Sequence, residues 1–135
     1  MLAQWRQLCE AEHCEPDRPI IAIRYEDGRV QITRQDEEQK IIVYQGHEDV
    51  RGKWLDFRIA VHFSSTADGS IEATLDRRLI VEYEGPSLFK ARPGYPVRGL
   101  IYFKMGLYRD ALQRSPSTIY VDEYRKDQCS SVGCG

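Results

Sequence analysis

The sequence predicts an all-β, antiparallel β-sandwich, and three observations favour this fold class. Apolar and polar residues alternate over short segments, which is the period of a half-buried β-strand. Turn signals rich in Gly, Asp and Pro separate these segments at short intervals, as they do in sandwiches and barrels. Helical periodicity is almost absent, apart from a turn or so predicted around residues 109–114. We therefore expect a single β-sandwich domain over residues 1–135, with a small polar tail at 126–135.

The individual strands follow from the alternation and from the turn chemistry between them. Asp27-Gly28 lies between two alternating segments and predicts a hairpin, because both residue types tolerate positive φ. A second hairpin is predicted around Asp76-Arg77. The predicted strands cover residues 2–8, 19–25, 29–34, 40–44, 54–64, 70–75, 78–83, 100–108 and 118–125.

Charge and hydropathy exclude two classes of partner. The formal net charge of −2 is too small to attract nucleic acid or an anionic membrane surface. No apolar run approaches the ~18 residues of a transmembrane helix. We expect neither a nucleic-acid partner nor a membrane partner.

The four cysteines form two C-x4-C pairs, one near each end of the chain. This spacing is not that of a zinc ribbon or a thioredoxin motif. We expect one or two disulfides that hold the terminal loops, as in secreted proteins, and hence an extracellular location. A metal site that includes His13 is one alternative. Free thiols in a cytosolic protein are the other. The pairing stays open among Cys9, Cys14, Cys129 and Cys134, since four cysteines allow three full connectivities.

Residues 102–108 carry the most informative polar pattern. Side chains alternate between the faces of a strand, so Tyr102, Lys104, Gly106 and Tyr108 are predicted to share the face away from the core. Two phenols and an amine beside a glycine form a suitable floor for a sugar groove, because glycine lets a ligand approach the backbone. The alternative is an ordinary polar sheet surface.

The same segment resembles a motif of two polysaccharide lyase families. YFKMGLY at 102–108 is similar to the YFKxGxY motif of alginate lyases and to the KxGxY strand of heparin lyase I-like enzymes. Gln4-Trp5-Arg6 resembles their Q-x-H strand, residues 52–57 resemble a GkWhdf strand, and residues 118–122 resemble a closing TvYyDn strand. The resemblance implies a concanavalin A-like jelly roll. This chain would be the C-terminal portion of such a domain, and three alternatives stay open: truncation, reduction by evolution, or completion by a partner chain.

The resemblance also implies a reaction, β-elimination at a uronic acid of an acidic polysaccharide. Tyr108 matches the catalytic tyrosine of these families, and Gln4 would neutralise the substrate carboxylate. Lys104 would bind a carboxylate or sulfate, with Tyr102 as a further substrate-binding residue. Arg6 stands where the families have histidine. It could hold a carboxylate but cannot act as a base, because a guanidinium stays protonated.

A substitute base is therefore sought among the histidines. His62 is predicted to lie on the polar face of the strand 54–64, together with Arg58, a candidate substrate-binding residue. The alternative for His62 is an ordinary solvated position on a sheet. No metal site and no cofactor are expected, and the participation of calcium stays open.

Three functions compete at this point. The first is a lyase acting on an acidic polysaccharide, and the second is a non-catalytic carbohydrate-binding module on the same scaffold, because fold does not determine function. The third is an interaction domain that uses exposed sheet edges. Such edges invite pairing, and a symmetric homodimer is the commonest outcome.

Overall fold

The computed structural model describes residues 1–9, 18–93, 97–109 and 115–128. These ranges contain eight β-strands and no helix. The strands are β1 (Ala3–Cys9), β2 (Ile21–Glu26), β3 (Arg29–Gln35), β4 (Lys40–Gln45), β5 (Phe57–His62), β6 (Ser70–Leu75), β7 (Arg78–Glu84) and β8 (Val97–Met105). No helix in this part of the chain could span a membrane.

The strands form two antiparallel sheets. One has five strands in the order β4-β3-β2-β1-β8, and the other has three strands in the order β5-β6-β7. The last strand therefore lies beside the first, and the segment just after β8 lies beside Met1, since Tyr108 N donates to Met1 O at 2.9 Å. The observed architecture confirms the predicted all-β, antiparallel sandwich.

The core lies between the two sheets, and the alternation of buried and exposed residues is clearest in β5 and β6. In β6, Ile71, Ala73 and Leu75 are buried, whereas Glu72 between them is exposed. The largest fully buried side chains are isoleucines, each worth ~1.5–3 kcal/mol of apolar burial relative to an exposed position. The buried core cluster consists of Ile20, Ile21, Ile32, Ile71, Ala73, Val81 and Phe89.

Both predicted hairpins are present, and the positive φ expected at Asp27-Gly28 is observed. Asp27 and Gly28 have φ values of 49° and 82°, and Asp76 and Arg77 have φ values of 50° and 65°. Positive φ at both central residues is the signature of a type I′ turn, whose twist matches that of the strands it joins. The Asp-Gly signal therefore predicted the β2–β3 connection correctly.

A loop after β7 is held against β1 by one glutamine. The backbone N–H of Phe89 donates to Gln7 Oε1 at 2.8 Å, and Gln7 Nε2 donates to the Phe89 carbonyl at 3.2 Å. The Phe89 side chain is only 4% exposed and belongs to the core cluster. Gln7 thus satisfies the backbone of a loop residue whose ring fills the core.

Three predicted strands differ from the structure, those over 118–125, 54–64 and 100–108, and the last of these covers Val97–Met105 instead. Residues 118–125 do not form a strand; the Tyr124 ring instead stacks on Phe103, with centroids 5.8 Å apart and planes 4° apart. Residues 118–125 alternate in the sequence, but no strand of the described ranges pairs with them. The strand predicted over 54–64 is confined to β5, and Trp54 is 71% exposed.

The predicted helical turn and the predicted disulfides are not tested by the structure. Residues 110–114 lie outside the described ranges, and so do Cys14, Cys129 and Cys134. The Cys9 backbone ends β1, but its side chain is not among those described. The cysteine pairing therefore remains a prediction.

Candidate functional site

The pairing of β1 with β8 brings four predicted site residues together on one face. Gln4 lies directly opposite Lys104, and in the next position on that face Arg6 lies opposite Tyr102. Directly opposed residues in an antiparallel pair have Cβ atoms ~4.5–5.5 Å apart. We refer to Gln4, Arg6, Tyr102 and Lys104 as the β1–β8 group. It combines an amide, a guanidinium, a phenol and an amine within a small patch.

The environment differs among the members of this group. Gln4 is only 5% exposed, Arg6 and Tyr102 are half-buried, and Lys104 is exposed. The Lys104 ammonium lies 5.1 Å from the centroid of the Tyr102 ring, within cation–π range. The group therefore presents an exposed positive charge beside a more buried floor.

Packing on the opposite side of the sheet determines which face these residues occupy. Trp5 lies opposite Phe103 in the same ladder, and their rings are 4.7 Å apart on the core side. A slip of one residue would send both aromatic rings into solvent and reverse the whole strand. The Trp5–Phe103 contact thus holds Gln4 and Lys104 on the face away from the core.

Tyr108 lies beyond the end of β8. The prediction of an uninterrupted strand over 100–108 was therefore wrong, because the strand ends at Met105. Gly106 N donates to Leu2 O and Tyr108 N donates to Met1 O, both at 2.9 Å. The chain advances two residues on the β8 side against one on the β1 side, which inserts an extra residue as a β-bulge does. Tyr108 therefore does not follow the simple alternation that relates Tyr102 to Lys104.

The position of Tyr108 is nevertheless accessible. Its side chain is 41% exposed, and a Cβ atom built on Gly106 would lie 3.9 Å from its Cε2 atom. Gly106 has φ of 150°, a backbone conformation that L side chains rarely adopt. Met105 and Leu107, which were expected to point into the core, are both substantially exposed at this irregular end.

His62 and Arg58 lie on the other sheet. Both are exposed on β5, where Phe57, Ile59 and Val61 alternate with them and pack against the core cluster. They therefore lie on the outer surface of the three-stranded sheet. The β1–β8 group lies on the outer surface of the five-stranded sheet, so these two sets of residues do not come together.

The surroundings of His62 belong to a surface loop. Its Nδ1 lies 2.8 Å from the Asp68 carbonyl oxygen. The hydroxyls of Ser64 and Thr66 donate to the Asp68 carboxylate and lower the pKa of that group below its usual range. These contacts organise the turn before β6.

The same outer face continues beyond β1 into a cleft that the sequence analysis missed. The cleft has a volume of about 360 Å³. It is lined by Arg18, Pro19, Arg24, Thr33, Gln35 and Lys40. Alternation alone could have assigned Arg24 and Thr33 to outward positions, but not the placement of β2 and β3 beside β1.

Strand register connects this cleft to the β1–β8 group. Gln4 pairs with Ala22 on β2, and Ala22 pairs with Thr33 on β3. One row across the sheet therefore runs from Lys104 through Gln4 and Ala22 to Thr33. Within the described ranges, no three His, Cys, Asp or Glu side chains are grouped so as to hold a metal ion.

Comparison with known proteins identifies the family. The family described as polysaccharide lyase matches residues 1–125, which is most of the chain. No curated protein and no solved structure gave a match. The match includes β1 and β8, the two strands that carry the β1–β8 group. The chain therefore belongs to the polysaccharide lyase family.

Proposed function

We propose that this chain binds an acidic polysaccharide across the outer face of the five-stranded sheet and cleaves it by β-elimination at a uronic acid. The observation that carries the proposal is the cross-strand pairing of Gln4 with Lys104 and of Arg6 with Tyr102. Membership of the polysaccharide lyase family supports lyase-like activity. An extracellular location, where such polymers occur, belongs to the same proposal.

The reaction needs three catalytic roles from the protein: neutralisation of the substrate carboxylate, a base and an acid. The C5–H bond breaks and its electron pair forms a C4=C5 double bond, while the C4–O bond breaks. The C5 proton is weakly acidic beside a charged carboxylate, so donors must neutralise that carboxylate, as oxyanion-hole donors do. A base must accept the C5 proton, and an acid must protonate the leaving oxygen.

The β1–β8 group can supply the neutralising donors. Gln4 offers an amide N–H at the floor of the face, and Arg6 offers a planar guanidinium suited to bidentate contact with a carboxylate. Lys104 adds a positive charge directly opposite Gln4. A uronate carboxylate bound over the outer face of β1 and β8 would meet an amide, a guanidinium and an ammonium group.

Tyr108 is the proposed acid for the leaving oxygen, and the proposed base as well. Its phenol is exposed next to Gly106, which leaves room for a sugar beside the backbone. Arg6 carries a guanidinium, which is a donor of hydrogen bonds and not a base, and it therefore contributes charge and hydrogen bonds only.

A second candidate function is binding of the same polymer without cleavage. The observation that favours it is the nature of the five-stranded sheet, whose described strands include no histidine, the commonest general base. His62 lies on the other sheet. Arg6, which lies opposite Tyr102, occupies the position at which the two lyase families have a histidine.

The two candidates differ in the ultraviolet absorbance of the unsaturated product. The parent protein should release this product from at least one of glucuronan, alginate or a heparin-like polymer. Tyr108→Phe should lower turnover by about 10²-fold or more, the scale of lost acid–base catalysis, and should change binding much less. Lys104→Ala should weaken binding, and high salt should reduce the difference because an exposed charge contact is screened.

Two control variants make this test specific. His62→Ala should retain turnover, because His62 lies on the outer surface of the other sheet. Tyr44→Phe also removes a phenol, but from a ring packed against the core cluster, and should retain turnover. Binding without product would support the second candidate. Cleavage by Tyr108→Phe at the parent rate would refute the assigned role of Tyr108.

A further inference from the structure

We propose that the cleft at the β2–β4 end of the outer face is a second anion-binding subsite, which takes a carboxylate or sulfate of another sugar in the same polysaccharide. This inference rests on the proposed function, since it assumes that a polyanion lies across the five-stranded sheet. It adds Arg18, Arg24 and Lys40 to the residues that contact the polymer. None of these three was a candidate from the sequence.

The position of the cleft relative to the β1–β8 group suits one continuous ligand. Thr33 lies in the same cross-sheet row as Gln4, two strands away through Ala22. Neighbouring strands are ~4.8 Å apart, so the two positions are separated by roughly 10 Å. Ala22 has the smallest side chain in the row, so it takes up little space between the two positions, and neighbouring side chains cover it fully.

The guanidinium of Arg24 is held in place at the centre of this cleft. Its Nε donates to Thr33 Oγ1 at 3.0 Å, which links β2 to β3. A guanidinium has five N–H donors in a fixed planar arrangement, so the bond from Nε leaves the two terminal nitrogens for other acceptors. Such a group is pre-organised for a carboxylate or sulfate, whose oxygens match the spacing of its donors.

The balance of charge in the cleft favours an anion. Its lining contains three cationic side chains and no acidic one. The nearest acidic residues on the β3–β4 turn have partners, because Glu37 binds Arg92 at 2.6 Å and the Asp36 carboxylate accepts from the N–H groups of Glu38 and Gln39. The cleft volume of about 360 Å³ lies within the range of small-ligand sites, ~300–1,000 Å³.

The test compares oligosaccharides of increasing length with two charge-removing variants. Arg24→Gln and Lys40→Gln are measured separately by calorimetry on short and long uronate oligosaccharides and on inorganic sulfate. Lys40 lies on an exposed edge strand, so its variant should fold even if loss of the Arg24–Thr33 bond disturbs the sheet. Arg78→Gln on the three-stranded sheet removes the same charge far from the cleft and serves as the matched control.

We expect the parent to bind long oligosaccharides more tightly than short ones. Each cleft variant should lose about 10-fold in affinity for the long ligand, the scale of one charge-assisted hydrogen bond. Each variant should bind the shortest ligand as the parent does, and Arg78→Gln should match the parent throughout. In a turnover assay, the cleft variants should raise KM for long substrates and leave kcat unchanged, because the lost contact is remote from the bond that breaks.

Three outcomes would overturn the inference, and they differ in their consequence for the proposed function. If the parent binds uronate polymers and both cleft variants bind long ligands equally well, the subsite is wrong and the proposed function stands. If sulfate alone binds in the cleft and chain length has no effect, the cleft takes free anions and not the polymer. If the parent binds no uronate polymer, the proposed function fails as well.

Discussion

At the scale of single residues, polar groups on the core side of the sandwich decide how the loops are held. Gln7 lies on the same side of β1 as Trp5, yet its amide makes two hydrogen bonds with the backbone of Phe89. The loop can therefore bury the Phe89 ring without leaving its own N–H and C=O groups unpaired.

Gln7→Leu should destabilise the protein although it replaces a polar side chain with an apolar one of similar size. Both backbone groups of Phe89 would lose these bonds in a part-buried site, at a cost of about 1–3 kcal/mol for an unsatisfied group. Urea unfolding measures the loss. Gln39→Leu in the exposed β3–β4 turn is the control and should change the free energy of unfolding by less than ~0.5 kcal/mol. Equal effects of the two variants would contradict this role for Gln7.

At the scale of elements, the β2–β3 hairpin joins two of the three strands that form the cationic cleft. Its turn requires positive φ at Asp27 and Gly28. Val50 N donates to Gly28 O at 2.7 Å, so the loop after β4 packs onto this turn. A Cβ atom at Gly28 would lie 2.7 Å from Asp49 Oδ1 and 2.8 Å from Asp49 Cγ.

Gly28→Ala should therefore cost more than the backbone strain of an alanine at positive φ. Gly52→Ala is a matched control, because Gly52 also has positive φ (70°) but has no atom within 4 Å of an added Cβ. We expect a loss of about 1 kcal/mol for Gly52→Ala from φ alone, and a larger loss for Gly28→Ala, because the Asp49 carboxylate must move away from the added Cβ and from its bond with Arg51 N. Thermal or urea unfolding measures both. A Gly28 variant no less stable than the Gly52 variant would show that the Asp49 contact is unimportant.

At the scale of the whole molecule, the five-stranded sheet has two edges, β4 and β8. An edge strand presents unpaired N–H and C=O groups to any strand that can pair with it. Among the described residues, β8 pairs with β1 alone and carries Leu100, which is 58% exposed. With nine residues against six, β8 is the longer of the two edges and offers more unpaired backbone groups to a second copy.

We therefore expect a homodimer that forms through β8. Sedimentation at high micromolar concentration should show dimer for the parent protein. Leu100→Lys should shift it to monomer, because a lysine on an edge strand opposes pairing. Ile42→Lys introduces the same charge on β4, the other edge, and should leave the dimer intact. A parent that sediments only as monomer would refute the dimer. If Ile42→Lys dissociates the dimer and Leu100→Lys does not, the dimer forms through β4 and the assignment to β8 is wrong.

Much of the candidate site was predictable because it depends on local alternation. The outward position of Lys104 follows from the period of a strand, and the Asp27-Gly28 turn follows from residue chemistry. The departures occur where tertiary contacts replace a ladder. Residues 118–125 alternate as a strand does, but stacking of Tyr124 on Phe103 positions them instead.

The sequence by itself determined the fold class, most strands, the positions of both hairpin turns and the alternation of faces within most strands. Only the tertiary structure decided which strands are neighbours. It placed β8 beside β1, so that Gln4 meets Lys104, and it placed β5 in the other sheet, so that His62 does not. It also aligned β2, β3 and β4 to form the cationic cleft. The physical reason is that alternation is a property of one strand, whereas strand order depends on long-range pairing and on burial of the common core.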